Sequence, residues 1–135
     1  QITAEELAER EPGHYDVVCC LEMLEHVPDP SAVIAACAAL AKPGAHLFFS
    51  TINRNPKAFA FAIVGAEYVL NMLPRGTHEY SKFIRPSELG RWIRDAGLQL
   101  TDMTGLTYNP ITKHYRLNSN DVSVNYMVRA VKPAA

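Results

Sequence analysis

Tyr15-Asp16-Val17-Val18-Cys19-Cys20-Leu21-Glu22-Met23-Leu24-Glu25-His26-Val27-Pro28 decides how the chain folds. Its first seven residues form a nearly unbroken apolar run. That is the composition of a strand covered on both faces in a parallel sheet rather than the alternation of a half-exposed one. Glu22, Glu25 and His26 follow at its carboxyl end. In open α/β sheets ligands bind in that crevice, so two carboxylates and an imidazole there are placed for chemistry.

The flanking sequence supports an α/β reading. Upstream, Thr3 is an N-cap, Glu5, Glu6 and Glu9 enrich the first turns of a helix, and Pro12-Gly13 stops it. Downstream, Asp29-Pro30 supplies an N-cap and an N1 proline, and Val33, Ile34, Cys37, Ala38, Leu40 and Ala41 give the next helix a broad apolar face. Pro43-Gly44 ends that helix, a second apolar strand covers 45–51, and strand, helix and strand make a βαβ unit. After an insertion at about 57–81, Pro86 begins a helix whose Leu89, Trp92, Ile93 and Ala96 share a face and whose C′ residue is Gly97. Strands over 98–104 and 122–131 close the chain, the second with Val122, Val124, Tyr126, Val128 and Ala130 in period two.

Composition narrows the function. The 135 residues suit one domain, and 48% hydrophobic content can build a core. Thirteen Lys+Arg against 14 Asp+Glu give a net charge of -1, without the basic footprint of a nucleic-acid binder. Cys19, Cys20 and Cys37 form neither a C-x-x-C pair nor an even set, so buried reduced thiols are expected. The apolar stretch at 58–66 is far shorter than the roughly 20 residues of a membrane-spanning helix. The chain opens on Gln1 and reads as helix almost at once, so the expectation is a C-terminal fragment.

E-x-x-E-H on one helical turn would bring residues 22, 25 and 26 onto one face. Oxygen and imidazole donors of this kind suit Mg²⁺, Mn²⁺ or Zn²⁺. An exposed acidic loop ending in a capping histidine has the same pattern. His78, in Arg75-Gly76-Thr77-His78-Glu79, reads as a further ligand, a general base or a solvated loop residue. His14, His46 and His114 have no carboxylate cluster beside them and read as structural or surface residues, and Tyr108, Asn109 and Tyr126 read as pocket or core residues. In 57–74, Phe59, Ile63, Ala66, Leu70 and Leu73 recur at helical spacing with Glu67 and Asn71 on another face and Arg54, Lys57 and Arg75 alongside. That pattern fits an amphipathic helix on a membrane surface, a lid, or a helix packed on the sheet.

These residues resemble the class I S-adenosylmethionine-dependent methyltransferases. The likeness rests on Tyr15-Asp16-Val17-Val18 leading into Glu22 to Pro30, and on Lys42-Pro43-Gly44 followed by Phe48-Phe49-Ser50-Thr51. Asn53-Arg54-Asn55, Val64-Gly65-Ala66-Glu67-Tyr68, Gly76-Thr77-His78, Gly105-Leu106, Tyr108-Asn109-Pro110-Ile111-Thr112 and Val124-Asn125-Tyr126-Met127 are similar to the branch that O-methylates ubiquinone precursors. The resemblance implies the C-terminal part of one methyltransferase domain over 1–135. It would hold the partial Rossmann-like sheet from the fourth strand onward, with helices on both faces and an antiparallel last strand. The family's glycine-rich loop and ribose-binding acidic residue are absent from these 135 residues.

The resemblance further implies S-adenosylmethionine as cofactor, approached by Leu21 and by Gln1, Ile2 and Thr3. It implies a divalent metal held by Glu22, Glu25 and His26, with His26 and His78 in catalytic roles, and a polyprenylated, catechol-like quinone precursor as substrate. A cytoplasmic protein, peripheral at the inner face of the membrane and in complex with other quinone-biosynthesis proteins, is the corresponding expectation. The fragment alone would be inactive. A non-catalytic membrane-associated module and a metal-dependent hydrolase are the alternatives.

Overall fold

A computed structural model describes residues 1–134; the final residue of the expected domain, Ala135, lies outside the described residues. Among them, β1 (Tyr15–Leu21), β2 (Ala41–Ile52), β3 (Gln99–Asn109), β4 (His114–Asn118) and β5 (Asn125–Val131) form one sheet in the order β1-β2-β5-β3-β4. β1 and β2 run parallel, while β5 lies antiparallel between β2 and β3. The expected βαβ unit and antiparallel last strand are therefore present. β4, which pairs with the end of β3 as a hairpin, was not expected from sequence: His114-Tyr115-Arg116-Leu117-Asn118 is short, and its two apolar positions, Tyr115 and Leu117, are exposed.

Capping chemistry sets the helices. In α1 (Ala4–Arg10), the Thr3 hydroxyl accepts the Glu6 N–H and the Glu6 carboxylate accepts the Thr3 N–H, a reciprocal box. In α2 (Pro30–Leu40), Asp29 accepts the Ala32 N–H at 3.2 Å, and Pro30 occupies a position where no donor is missed. The chain passes from Leu40 directly into β2, so Pro43-Gly44 lies in an irregular stretch of strand rather than at a helix end. Tyr15 pairs with Ala41 but Val17 with His46, and Gly44 takes φ +83° in the extra length between them. Lys132 Nζ donates to the carbonyls of Ala38 and Ala41 at 2.8 Å each, satisfying the end of α2 with a cation.

The main core joins Val33, Ile34 and Cys37 of α2, Leu47 and Phe49 of β2, Leu89 and Ile93 of α4 (Pro86–Asp95), and Tyr126, Val128 and Ala130 of β5. The period-two reading holds from Tyr126 to Ala130, whereas Val122 and Val124 precede the strand, and it makes Tyr126 a core residue. Its hydroxyl donates to the Ile84 carbonyl at 2.6 Å, and burial holds its proton on beyond the ordinary phenol range. α1 packs on α2 and α2 on α4, against the pleat side that carries Cys20, Leu47 and Phe49. On the other pleat side Val17, Cys19 and Leu21 are exposed. The described residues thus cover one of the two faces that the apolar run asks for, and Cys19 departs from the expected buried set.

The segment after β2 begins as a short helical turn, Pro56–Ala58, capped by Asn55 Oδ1 on the Ala58 N–H at 2.7 Å. It continues as a π-helix over Phe59–Val69; together these are α3. Ala58 and Ala62 pack with Ile52 and Phe83, Ile63 leans on the same cluster, and Glu67 is 1% exposed. The expected faces change accordingly: Ile63 turns inward and Glu67 is the buried residue. Phe59, Phe61, Val64, Tyr68, Val69 and Leu70 stand outward.

Candidate functional site

β1 delivers its chemistry through a sharp exit. Leu21 pairs with Ser50, and the next residue, Glu22, takes the left-handed conformation at φ +50°. Its N–H donates to both the carbonyl and the hydroxyl of Ser50 at 3.0 Å, which helps hold this sparsely populated backbone state. A 3₁₀ turn, Leu24–His26, follows, with Leu24 fully buried as its anchor. Glu22, Glu25 and His26 therefore do not share the face of one helical turn. Glu22 stands before the turn, and tertiary partners instead of helical spacing bring the three together.

Each side chain has a distinct environment. Glu25 is 3% exposed, and its Oε2 accepts the Thr51 hydroxyl from the end of β2 at 2.8 Å. Glu22 Oε1 accepts from Asn125 Nδ2 at 3.0 Å, the first residue of β5. His26 Nε2 lies 3.8 Å from Glu25 Oε1, and its ring is half open to solvent. Although the Glu22 residue is exposed, the protein surrounding its carboxyl and the adjacent Glu25 charge push its pKa up to about 7 against the opposing pull of Asn125.

His78 reaches this cluster from the loop after α3. Its ring stacks on that of His26, with centroids 6.0 Å apart and planes at 28°, and meets Phe83 edge-on. Glu67 of α3 receives Nδ1 of His78 at 3.2 Å, the His78 N–H at 3.2 Å and the Gly76 N–H at 2.6 Å. Among the sequence expectations, Glu22, Glu25, His26 and His78 are thus brought into one place. Thr51, Asn125 and Glu67 were missed as their partners. Only Glu67 carried a sequence signal, as the one acidic residue in a mostly apolar helix.

Among the described residues no three His, Cys, Asp or Glu side chains are arranged as ligands about a single point. Glu25 is engaged by Thr51, Glu22 by Asn125, and the His26 ring lies against His78. The donor set is of the oxygen and imidazole kind that a divalent cation takes: Glu22 resists ionisation first because protein surrounds its carboxyl and then because of the adjacent Glu25 charge, which a cation would offset.

Leu21 is 48% exposed and lines an open cleft of about 510 Å³ with Ala4, Leu7, Val17, Cys19 and Met23. This apolar wall suits an adenosyl or methionyl group. Gln1, Ile2 and Thr3 are exposed and do not line the cleft, and the polar groups of Thr3 are engaged in capping α1. His14, His46 and His114 are exposed and take no part in the cluster, and Tyr108 packs on Tyr115 in the β3–β4 hairpin.

Residues 1–102 match the methyltransferase domain family. The chain is 69% identical over 134 residues to the ubiquinone biosynthesis O-methyltransferase of Pseudomonas savastanoi pv. phaseolicola, covering 99% of this chain and 57% of that protein. It is 71% identical over 130 residues to the protein of the same name from Saccharophagus degradans, covering 96% and 55%. The chain spans somewhat over half the length of these curated relatives. A SAM-dependent methyltransferase of Thermotoga maritima superposes with a TM-score of 0.69 at 17% identity, covering 90% of this chain and 58% of that one. The magnesium protoporphyrin IX methyltransferase of Synechocystis, solved with bound SAH, gives 0.58 at 20% identity over 93% and 48%. At these identities the likeness is one of fold, that of the class I methyltransferases.

Proposed function

The chain belongs to the methyltransferase domain family, and from that premise we propose that the protein containing it transfers a methyl group from S-adenosylmethionine to a phenolic oxygen of a catechol-like ubiquinone precursor. The observation that carries the proposal is the meeting of Glu22, Glu25, His26 and His78 at the carboxyl ends of β1 and β2, beside an apolar cleft walled by Leu21. The close similarity to ubiquinone biosynthesis O-methyltransferases supports the choice of acceptor.

The chemistry calls for such a cluster. A phenol with a pKa near 10 is mostly protonated at neutral pH and is a weak nucleophile. Glu22, Glu25 and His26 would hold a divalent cation, and that cation, when bound, supplies Lewis-acid stabilisation of the phenolate formed from two adjacent hydroxyls. Bound S-adenosylmethionine supplies the methyl group. Leu21, Val17 and Met23 pack along the cofactor's apolar parts and exclude water. His26 and His78 orient the ring and His78 accepts the hydroxyl proton, which fixes one oxygen toward the methyl donor.

The polyprenyl tail gives the insertion at about 57–81 a role. Outward-facing Phe59, Phe61, Val64, Tyr68, Val69 and Leu70 present an apolar surface, and Lys57 and Arg75 flank it. Such a surface suits shallow docking at the inner face of a membrane, from which a lipid-dissolved substrate would enter. Among the described residues no helix is long and apolar enough to cross a bilayer.

Calorimetry with S-adenosylhomocysteine, followed by turnover of a prenylated catechol with and without chelator, tests the proposal on the full-length protein. Tight binding with chelator-sensitive methyl transfer is expected. Failure to bind S-adenosylhomocysteine would overturn the methyltransferase reading, and full activity under chelation would remove the metal from it.

A further inference from the structure

Glu67 is a charge placed where charges are costly. It is 1% exposed in the π-helical stretch of α3, which holds no other charged residue, and no Lys or Arg is paired with it among the described residues. Its carboxylate is satisfied by the N–H groups of Gly76 and His78 and by Nδ1 of His78, all from one short loop. Burying a carboxylate without a strong counter-charge is expensive, and a neutral acceptor could hold two backbone N–H groups at lower cost. What a neutral acceptor does less well is select one imidazole tautomer. A carboxylate facing Nδ1 keeps the proton there, as a donor, and leaves Nε2 with its lone pair.

Resting on the methylation reading, we propose that Glu67 is a positioning residue that holds the His78 ring beside His26 as the Nδ1–H tautomer. Nε2 is thereby the atom that takes the proton of the substrate hydroxyl. In the step this serves, the phenolic O–H bond breaks and its proton goes to Nε2. The oxygen forms the new bond to the methyl carbon, and the carbon–sulfur pair leaves on sulfur as the neutral thioether. Glu67 is itself buried, so it acts through His78, whose side chain is 11% exposed and packed between His26 and Phe83. The π-helical pitch of α3 assists, because its i to i+5 bonding carries the chain from Gly65 to Leu70 and on into the loop that Glu67 then gathers back.

The test uses the full-length protein with Glu67→Gln, Glu67→Asp and His78→Ala, singly and with Glu67→Gln combined with His78→Ala. Nitrogen NMR of the ¹⁵N-labelled histidine rings reads the tautomer without reference to activity. Glu67→Gln is expected to shift His78 away from the Nδ1–H form and to lower kcat by about a hundredfold, the scale of a misplaced general base. KM for the acceptor and S-adenosylhomocysteine binding should stay within about threefold. Glu67→Asp should restore part of both signals, and Glu67→Gln should cost nothing further in the His78→Ala background, because residues acting as a unit are not additive. An unchanged His78 tautomer, or an equal loss in both backgrounds, overturns the proposal and leaves Glu67 a loop staple. A tautomer shift in a protein that methylates no catechol supports the positioning role and overturns the methylation reading instead.

Discussion

The β1 exit and the insertion after β2 contribute histidines to the same cluster by opposite means. At the exit, backbone bonds from Glu22 to Ser50, a buried Leu24 and the sheet itself fix Glu22, Glu25 and His26. In the insertion, apolar side chains face outward, and the loop bearing His78 hangs on one buried carboxylate. One half of the site is thus built on a rigid scaffold, and the other on a segment whose attachment is local and polar. Elements that must admit a substrate are drawn from the less stable parts of a fold, and this segment has that character.

The comparison predicts unequal responses. Replacing Glu25 by Ala in the full-length protein should lower methyl transfer by roughly 10²–10⁴-fold, the scale at which reactions lose a group that handles charge or protons. Cofactor affinity, measured by calorimetry, should survive. Retained turnover would mean that the rigid half carries no chemistry.

In the insertion, Phe61→Ser with Val69→Ser should weaken binding to anionic vesicles by about tenfold or more, since burying each such side chain is worth roughly 1.5–3 kcal/mol. Co-sedimentation would show this, with cofactor binding unchanged. Equal sedimentation of variant and wild type removes the membrane role.

A smaller effect separates the two anchorings directly. Glu67→Ala leaves the Gly76 and His78 amides without their acceptor, at a cost of about 1–3 kcal/mol for each unsatisfied donor. Hydrogen exchange should quicken at those amides while the Glu22 amide, bonded to Ser50, keeps its protection. Parallel loss at both places would show that exit and insertion open as one unit.

The smallest expected effect is electrostatic. The folded state raises the pKa of Glu22 to about 7, so it favours the neutral carboxyl. The resulting stability is fully present below the ordinary glutamate range and is lost as pH rises through about 7. Chelated wild type should therefore melt at a lower temperature at pH 8 than at pH 5.5, and Glu22→Gln should flatten that slope. An added divalent cation should raise the melting temperature above pH 7 if the crowded carboxylates hold it.

Much of this was legible locally. Thr3, Asp29-Pro30 and Pro86 announce helix starts because caps act on the nearest backbone donors. The period-two run ending at Ala130 announces a strand because alternation follows from pleat geometry. The nearly unbroken run at 15–21 and the acid-rich exit marked a candidate site for the same reason: sequence position along a strand fixes which end a residue occupies. β4 escaped because Tyr115 and Leu117, the apolar positions of this short edge strand, stay exposed and mark no core face. Cys19 was misplaced because an apolar run does not say which face its neighbours cover.

The sequence by itself determined the helix starts, the parallel βαβ unit and the choice of Glu22, Glu25, His26 and His78 as candidate site residues. Only the tertiary structure decided that Glu22 reaches its place through a left-handed turn rather than a helical face, that Thr51 and Asn125 occupy the two carboxylates, and that Glu67 is buried to hold His78 against His26. Caps and periodicity are set by residues a few positions apart. The partners of a buried charge come from strands and loops far along the chain, here 26 positions from Glu25 to Thr51 and 103 from Glu22 to Asn125, and no local pattern encodes them.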